Sequence, residues 1–227
     1  MMIEFNKALI VCAHPDDEVL GVGGTIPLII QKGGNVTVVV VTDGVSSQYP
    51  NDKEMYEIRH KQLLSACNIL GVNDVIHLDF PDMSLDTVSQ VSINMELGKI
   101  VNRIQPDTIF THHNYDVNLD HQILYESVMV IGRPKPQSSI KNILTYHVNS
   151  STEWGARTPF KMFCPNIFID ISSTIDKKLK ALECYTHELV PFPHPRSLEA
   201  VKARAKVLGS ESGASYAEGF NLVFSKS

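Results

Sequence analysis

No apolar run in the 227-residue chain approaches the length of a membrane span, and the start, MMIEFNKALIV, lacks the charged opening and long apolar stretch of a secretory signal. A stable membrane anchor is not expected. Basic runs are missing as well: the net charge is −5, which removes the electrostatic footprint of a nucleic-acid or anionic-membrane binder. Cys12, Cys67, Cys164 and Cys184 form no C-x-x-C pair and mostly sit in apolar stretches, so buried free thiols in a reducing, cytoplasmic setting are expected. The chain also lacks G-x-S-x-G, Walker A and H-E-x-x-H stretches, which withdraws support from serine hydrolases, P-loop NTPases and thermolysin-like enzymes.

What is present is an alternation. At 43% apolar and 20% charged residues, the chain can bury a substantial core, and nothing in it reads as a linker or repeat, so residues 1–227 are expected to form one domain. ALIVCA (Ala8–Ala13) and VTVVVVT (Val36–Thr42) are continuously apolar and rich in β-branched residues, as strands buried on both faces must be. Leu20 to about Lys32 reads as the helix between them, stopped by Gly33-Gly34. The pattern continues with helices near 52–70, 88–104 and after Asp120, strands near 75–78, 108–111 and 143–147, and two amphipathic helices carrying Ile175, Leu179, Leu182 and then Leu198, Val201, Ala205, Leu208. Residues 133–165, richer in Pro, Ser and Thr, read mainly as loops covering one end of a wholly or mostly parallel sheet.

Two clusters of His and acidic residues fall at strand ends, where open α/β sheets bind ligands. One is AHPDDEVLGVGG, Ala13–Gly24; the other is THHNYDVNLDH, Thr111–His121. Imidazole and carboxylate are the ligands of an open catalytic zinc site, which uses three protein groups and leaves a position for water. In His14-Pro15-Asp16-Asp17 the adjacent carboxylates must point differently, so one can bind metal while the other works on water; His121 is the preferred third ligand. The competing structural reading is that Asp16, Asp17, Glu18 and Asp120 simply favour helix N-termini. Both clusters at equivalent strand ends tip the balance toward a site. His112 and His113 read better as hydrogen-bonded structural residues than as ligands, and Arg59, on residues alone, as part of a solvated helix face. Gly21, Gly23 and Gly24 follow the acidic turn rather than forming it, and carboxylates there would repel a dinucleotide pyrophosphate.

With AHPDDE, VTDG (Val41–Gly44), EIRHKQLLSACNILGV, LDFPD (Leu78–Asp82) and NYDVNLDH (Asn114–His121) in place, the sequence resembles the LmbE-like, or PIG-L, family of zinc-dependent N-deacetylases. The late HPRSLEAVKARAKVLGSESGASYAEGF is similar to the C-terminal part of bacterial members. The resemblance implies a Rossmann-like three-layer α/β sandwich with a mostly parallel sheet. It also implies zinc held by His14, Asp17 and His121, Asp16 as general base, Arg59 reaching the substrate, and Asp120 orienting a neighbouring side chain. Glu18 is left as the acid that stabilises the helix start. The implied reaction removes the N-acetyl group of an amino sugar, free or in a glycoconjugate, with no nucleic acid involved.

One departure stands out. Where many members have H-x-D-H, this chain has Asn118-Leu119-Asp120-His121, and Asn118 can donate a hydrogen bond to an oxyanion but cannot deliver a proton. The leaving amine must then be protonated by Asp16 or by another group such as His112 or His113. Alternatives kept open are an amidase acting on another acyl group or a thiol-sugar conjugate, and a non-catalytic sugar- or nucleotide-binding module. A site of two histidines and one aspartate also accepts other divalent ions. The sugar, its carrier and a homo-oligomeric state are not readable from the residues.

Overall fold

The computed structural model describes residues 5–155 and 157–226. Strands β1 (Lys7–Cys12), β2 (Asn35–Thr42), β3 (Asp74–Phe80), β4 (Thr108–His112) and β5 (Asn142–Tyr146) pair in parallel. β6 (Ile167–Asp170) and β5 each pair antiparallel with β7 (Ala217–Ser225), completing a seven-stranded sheet in the order β3-β2-β1-β4-β5-β7-β6. The expected mostly parallel α/β architecture is therefore present, with β7 as the one reversed strand among the described residues.

Helices cover both faces, which is why β1 and β2 are apolar at nearly every position rather than at alternate ones. Ala8, Ile10, Cys12, Val36, Val38 and Val40 enter one core with apolar side chains of α1 (Asp17–Val22), α2 (Thr25–Gln31), α3 (Lys53–Leu70), α6 (Ile175–Leu182) and α7 (Leu198–Ser212). Leu9, Val11, Val39 and Val41 enter the other, against Ile93 and Leu97 of α4 (Gln90–Ile104) and Leu124 and Val128 of α5 (Leu119–Ile131). Each Val, Leu or Ile among them contributes roughly 1.5–3 kcal/mol by leaving water. No helix among the described residues is long and apolar enough to cross a membrane.

Three details differ from expectation. The helix expected over Leu20–Lys32 is two short ones, because the Glu218 carboxylate accepts from the backbone N–H of Gly24 and Thr25 (2.8 Å each) and from Thr25 Oγ1 (2.7 Å), starting a new helix there. Strand β7 has no counterpart in the sequence reading; its Gly219 lies where an added Cβ would stand 2.8 Å from Pro165, so close packing has removed one of the side chains that would advertise a strand. Cys12 and Cys67 are buried free thiols as expected, whereas Cys164 is exposed and Cys184 half-buried.

The chain leaves β1 toward β2 and β3 and returns to β4 on the other side of β1. That reversal opens a crevice at the carboxyl ends of β1 and β4. Both acidic-histidine clusters begin there.

Candidate active site

The turn after β1 is held in an uncommon backbone conformation. Asp16 has φ 118°, a left-handed value that a non-glycine residue adopts at a cost of about 1–3 kcal/mol, and such strain persists only where the surroundings over-determine it. They do so here. Arg59 Nη2 donates to the Pro15 carbonyl (3.0 Å), and the Asp16 N–H donates to Glu18 Oε2 (3.1 Å). Gly44, on the facing loop, is positioned so that a Cβ would fall 2.4 Å from Pro15 Cδ. Glu18 is fully buried, accepts from the Tyr185 hydroxyl, and is pushed up by burial to about 8. It lies in the first turn of α1, as the sequence suggested, and from within the core it also clamps the strained turn.

This turn and the start of α5 bring three ligand atoms together. His14 Nδ1 lies 3.3 Å from His121 Nε2, and Asp17 Oδ2 lies 3.5 Å and 3.6 Å from those two atoms. Ligands about 2.0–2.1 Å from a tetrahedral zinc are separated by about 3.3–3.4 Å, so the spacing fits a zinc-sized ion. The far nitrogens fit as well. His14 Nε2 faces Asp120 Oδ2 (3.1 Å) and Asp82 Oδ1 (3.4 Å), and His121 Nδ1 faces Asp116 Oδ2 (3.2 Å). A carboxylate behind each imidazole is what fixes ring orientation and raises basicity at metal sites. Burial works against the charged imidazoles, yet Asp120 and Asp17 push His14 up to about 10, and Asp17 and Asp116 push His121 up to about 9. Burial opposes the Asp17 charge too, but His121 and His112 hold it well below the usual carboxylate range. Four acids surrounding two rings that almost touch call for positive charge, and one dication satisfies them without forcing two imidazolium nitrogens together.

Asp16 stands beside this set without belonging to it. Its Oδ2 is buried with no hydrogen-bond partner among the described residues, 3.5 Å from Arg196 Nη1, and burial pushes the carboxyl up to about 6. Arg196 is bound in turn to Glu188 Oε2 (2.5 Å), whose other oxygen lies 3.1 Å from Arg59 Nη1. Arg59 is buried, so the solvated-face reading of it fails; it braces the turn and lines a small pocket of about 40 Å³ with Val45, Tyr49 and Glu188. Asn118 caps α5, its Oδ1 accepting from the Asp120 N–H (2.9 Å), while its Nδ2 has only the Met83 sulfur (3.3 Å) among the described residues. His112 accepts the Ala13 N–H at Nε2 (2.9 Å) and stacks on His121, and His113 bonds the Lys161 carbonyl (2.8 Å). Those structural engagements keep both outside the ligand trio. Sequence reasoning passed over Asp82, Asp116, Glu188 and Arg196; the acids of LDFPD and NYDVNLDH were in view, but nothing local marks Glu188 or Arg196.

Comparison with known proteins identifies the chemistry class. The family model described as PIG-L, GlcNAc-PI de-N-acetylase, matches residues 9–131, more than half the chain and both halves of the site. The chain belongs to the PIG-L family. The family model and the deacetylase relatives together make it a deacetylase, a hydrolase. The uncharacterized deacetylase YaiS of Escherichia coli (strain K12) is 31% identical over 77% of this chain and 88% of its own. A probable N-acetyl-alpha-D-glucosaminyl L-malate deacetylase 2 of Bacillus cereus is 28% identical over 78% of this chain and 81% of its own. Among solved structures, GalB, the 4-carboxy-2-hydroxymuconate hydratase from Pseudomonas putida KT2440, superposes with a TM-score of 0.77, covering 98% of each chain at 21% identity. A hydratase on the same scaffold shows that the PIG-L fold alone does not dictate deacetylation.

Proposed function

We propose that this PIG-L protein hydrolyses the N-acetyl group of an N-acetylglucosaminyl conjugate, releasing a free amine and acetate. The observation that carries the reading is the pairing of a zinc-sized ligand trio, His14, Asp17 and His121, with a neighbouring carboxylate, Asp16, whose buried Oδ2 has no hydrogen-bond partner among the described residues. Zinc, when bound by that trio, supplies Lewis acidity toward the amide carbonyl and toward water. Asp16 accepts the proton of the attacking water and passes it to the departing amine, since Asn118 has no proton to give. Asn118 Nδ2, spent only on a thioether, donates to the oxygen on which negative charge develops. Arg196 keeps Asp16 aimed, and Asp120 and Asp116 hold the ligand rings. Arg59 meets the sugar where a hydroxyl displaces Glu188. The nature of the relatives' substrates supports the N-acetylglucosaminyl class, and four free cysteines support a cytoplasmic setting.

The test is amine release from a panel of N-acetylglucosaminyl conjugates by zinc-loaded protein, with Asp16→Asn alongside. Release that falls about 10²–10⁴-fold in the variant, at unchanged zinc content, is the expected result. Absence of amine release, with hydration of an unsaturated tricarboxylate such as 4-carboxy-2-hydroxymuconate instead, would overturn the reading in favour of a hydratase.

A further inference from the structure

A second cavity lies on the Nδ1 side of His121, away from the nitrogen that faces Asp17. It has a volume of about 270 Å³ and is lined by His147, Thr152, Glu153, Arg157, Phe163 and Arg204 among others. Thr152 forms the wall between the two sites: its hydroxyl donates to Asp116 Oδ2 (2.6 Å), the same oxygen that faces His121 Nδ1 at 3.2 Å.

Three features of this cavity have no use in the folded chain by itself. His147 is 7% exposed, lines the cavity, and has no hydrogen-bond partner at either ring nitrogen among the described residues. Glu153 Oε2 stands 3.5 Å from its Nε2 but is turned to the Ser151 N–H (3.2 Å), while Oε1 takes the Ser150 N–H (2.7 Å). A buried imidazole left in this state costs free energy that a ligand would recover. Arg204, half-buried beside it, makes no ion pair or hydrogen bond among the described residues, and desolvation lowers its pKa. Finally, two guanidinium groups, Arg204 and Arg157, line the cavity with one carboxylate, Glu153, leaving a surplus positive charge among its lining residues, which include Phe163.

We propose that this cavity binds a small organic monocarboxylate, its carboxylate held by Arg204 and His147 and its carbon chain against Phe163. A single surplus charge suits a monoanion better than a phosphate dianion, and the apolar wall suits carbon. The volume, just below the range of ordinary ligand pockets, fits an acid of a few carbons. Acetate, the second product of the proposed reaction, is the smallest member of the class, but binding here does not depend on that reaction. Through Thr152 and Asp116, an occupant is mechanically linked to a residue of the metal trio.

Trp154, the one tryptophan of the chain, provides a local reporter, since the Arg157 guanidinium packs 5.4 Å from its ring centroid. Acetate, propionate and butyrate, with phosphate and the corresponding amides as controls, should be titrated into the zinc-loaded protein by calorimetry and Trp154 emission together. The expected result is a saturable carboxylate isotherm that the emission follows, at least tenfold weaker in Arg204→Gln and in His147→Gln, with the amides silent. A carboxylate bound at the metal instead would survive both substitutions. An isotherm unchanged in both variants, or no saturable binding by any acid, overturns the proposal; tighter binding of phosphate than of the acids overturns its monocarboxylate part.

Discussion

Asp116→Asn should cost the protein zinc rather than its fold. In the folded chain Asp116 Oδ2 sits 3.2 Å from His121 Nδ1 and takes the Thr152 hydroxyl at 2.6 Å, while Oδ1 accepts from the Asn118 N–H (2.9 Å) and from the Ser151 hydroxyl. An asparagine keeps the shape and one acceptor oxygen. With that oxygen on Asn118 and Ser151, the amide nitrogen is presented to His121 Nδ1, and the ring loses the anion that holds its tautomer and raises its basicity. Loss of such an outer partner typically weakens metal binding by about 10–100-fold, which is about 1.4–2.7 kcal/mol. The cost to folding, about 1.5–3 kcal/mol for hydrogen bonds to a charged group, is small against an ordinary stability of roughly 5–15 kcal/mol, so the variant should remain folded. Competition for zinc against a chromophoric chelator measures the affinity directly, with thermal unfolding of the metal-free protein as the parallel reading. An affinity within about twofold of wild type, combined with a lowered melting temperature, would make Asp116 a structural residue only and refute the argument.

Other substitutions separate the remaining roles. Arg196→Gln should lower kcat by about tenfold or more while zinc content stays unchanged, because it frees Asp16 without touching the trio; an unchanged kcat would remove Arg196 from the mechanism. Gly21→Ala should destabilise by about 1–3 kcal/mol, since its Cβ would stand 2.3 Å from Tyr146 Cδ2, and that ring is tied by its hydroxyl to the Val11 carbonyl (2.8 Å). Gly98→Ala, in α4 with nothing near its Cβ, should stabilise by up to about 1 kcal/mol, and thermal unfolding of the pair checks both signs. His147 supplies a pH test. Burial first and Arg204 second, opposed by Asp116 and helped to a lesser degree by Lys178 and His113, hold it neutral well below its ordinary pKa. Its stabilising contribution is therefore present above about pH 6.5 and lost as pH falls, because the unfolded chain takes up the proton first. Between pH 7.5 and 5.5 the wild type should lose up to about 1.4 kcal/mol relative to His147→Gln; parallel stability curves across that range would contradict the sign.

The parts of this molecule that could be read from its sequence are those whose physical cause is local or periodic. β1 and β2 announce themselves as nearly unbroken apolar runs because both faces are covered, and the two halves of the site announce themselves because His and Asp cluster where β1 and β4 end. Causes that act across the chain left no such mark. The break between α1 and α2 is set by Glu218, on β7, and the aim of Asp16 by Arg196, neither of which lies near its partner in sequence. Arg59 misleads for the same reason: α3 is polar enough on average to suggest a solvated face at residue 59, yet a buried turn carbonyl and Glu188 receive the guanidinium. The three acids of AHPDDE show how far the difference goes. Asp16, Asp17 and Glu18 are adjacent, chemically near-identical and all buried, but φ 118° at Asp16 sends its carboxyl toward Arg196, while Asp17 opens α1 facing His14 and His121. Glu18, one step further around the helix, meets the Tyr185 hydroxyl inside the core. A resemblance to a family can label the first two. The third needs the fold, because only the packing of the segment after α6 against α1 supplies the hydroxyl that lets a carboxyl group sit there at all.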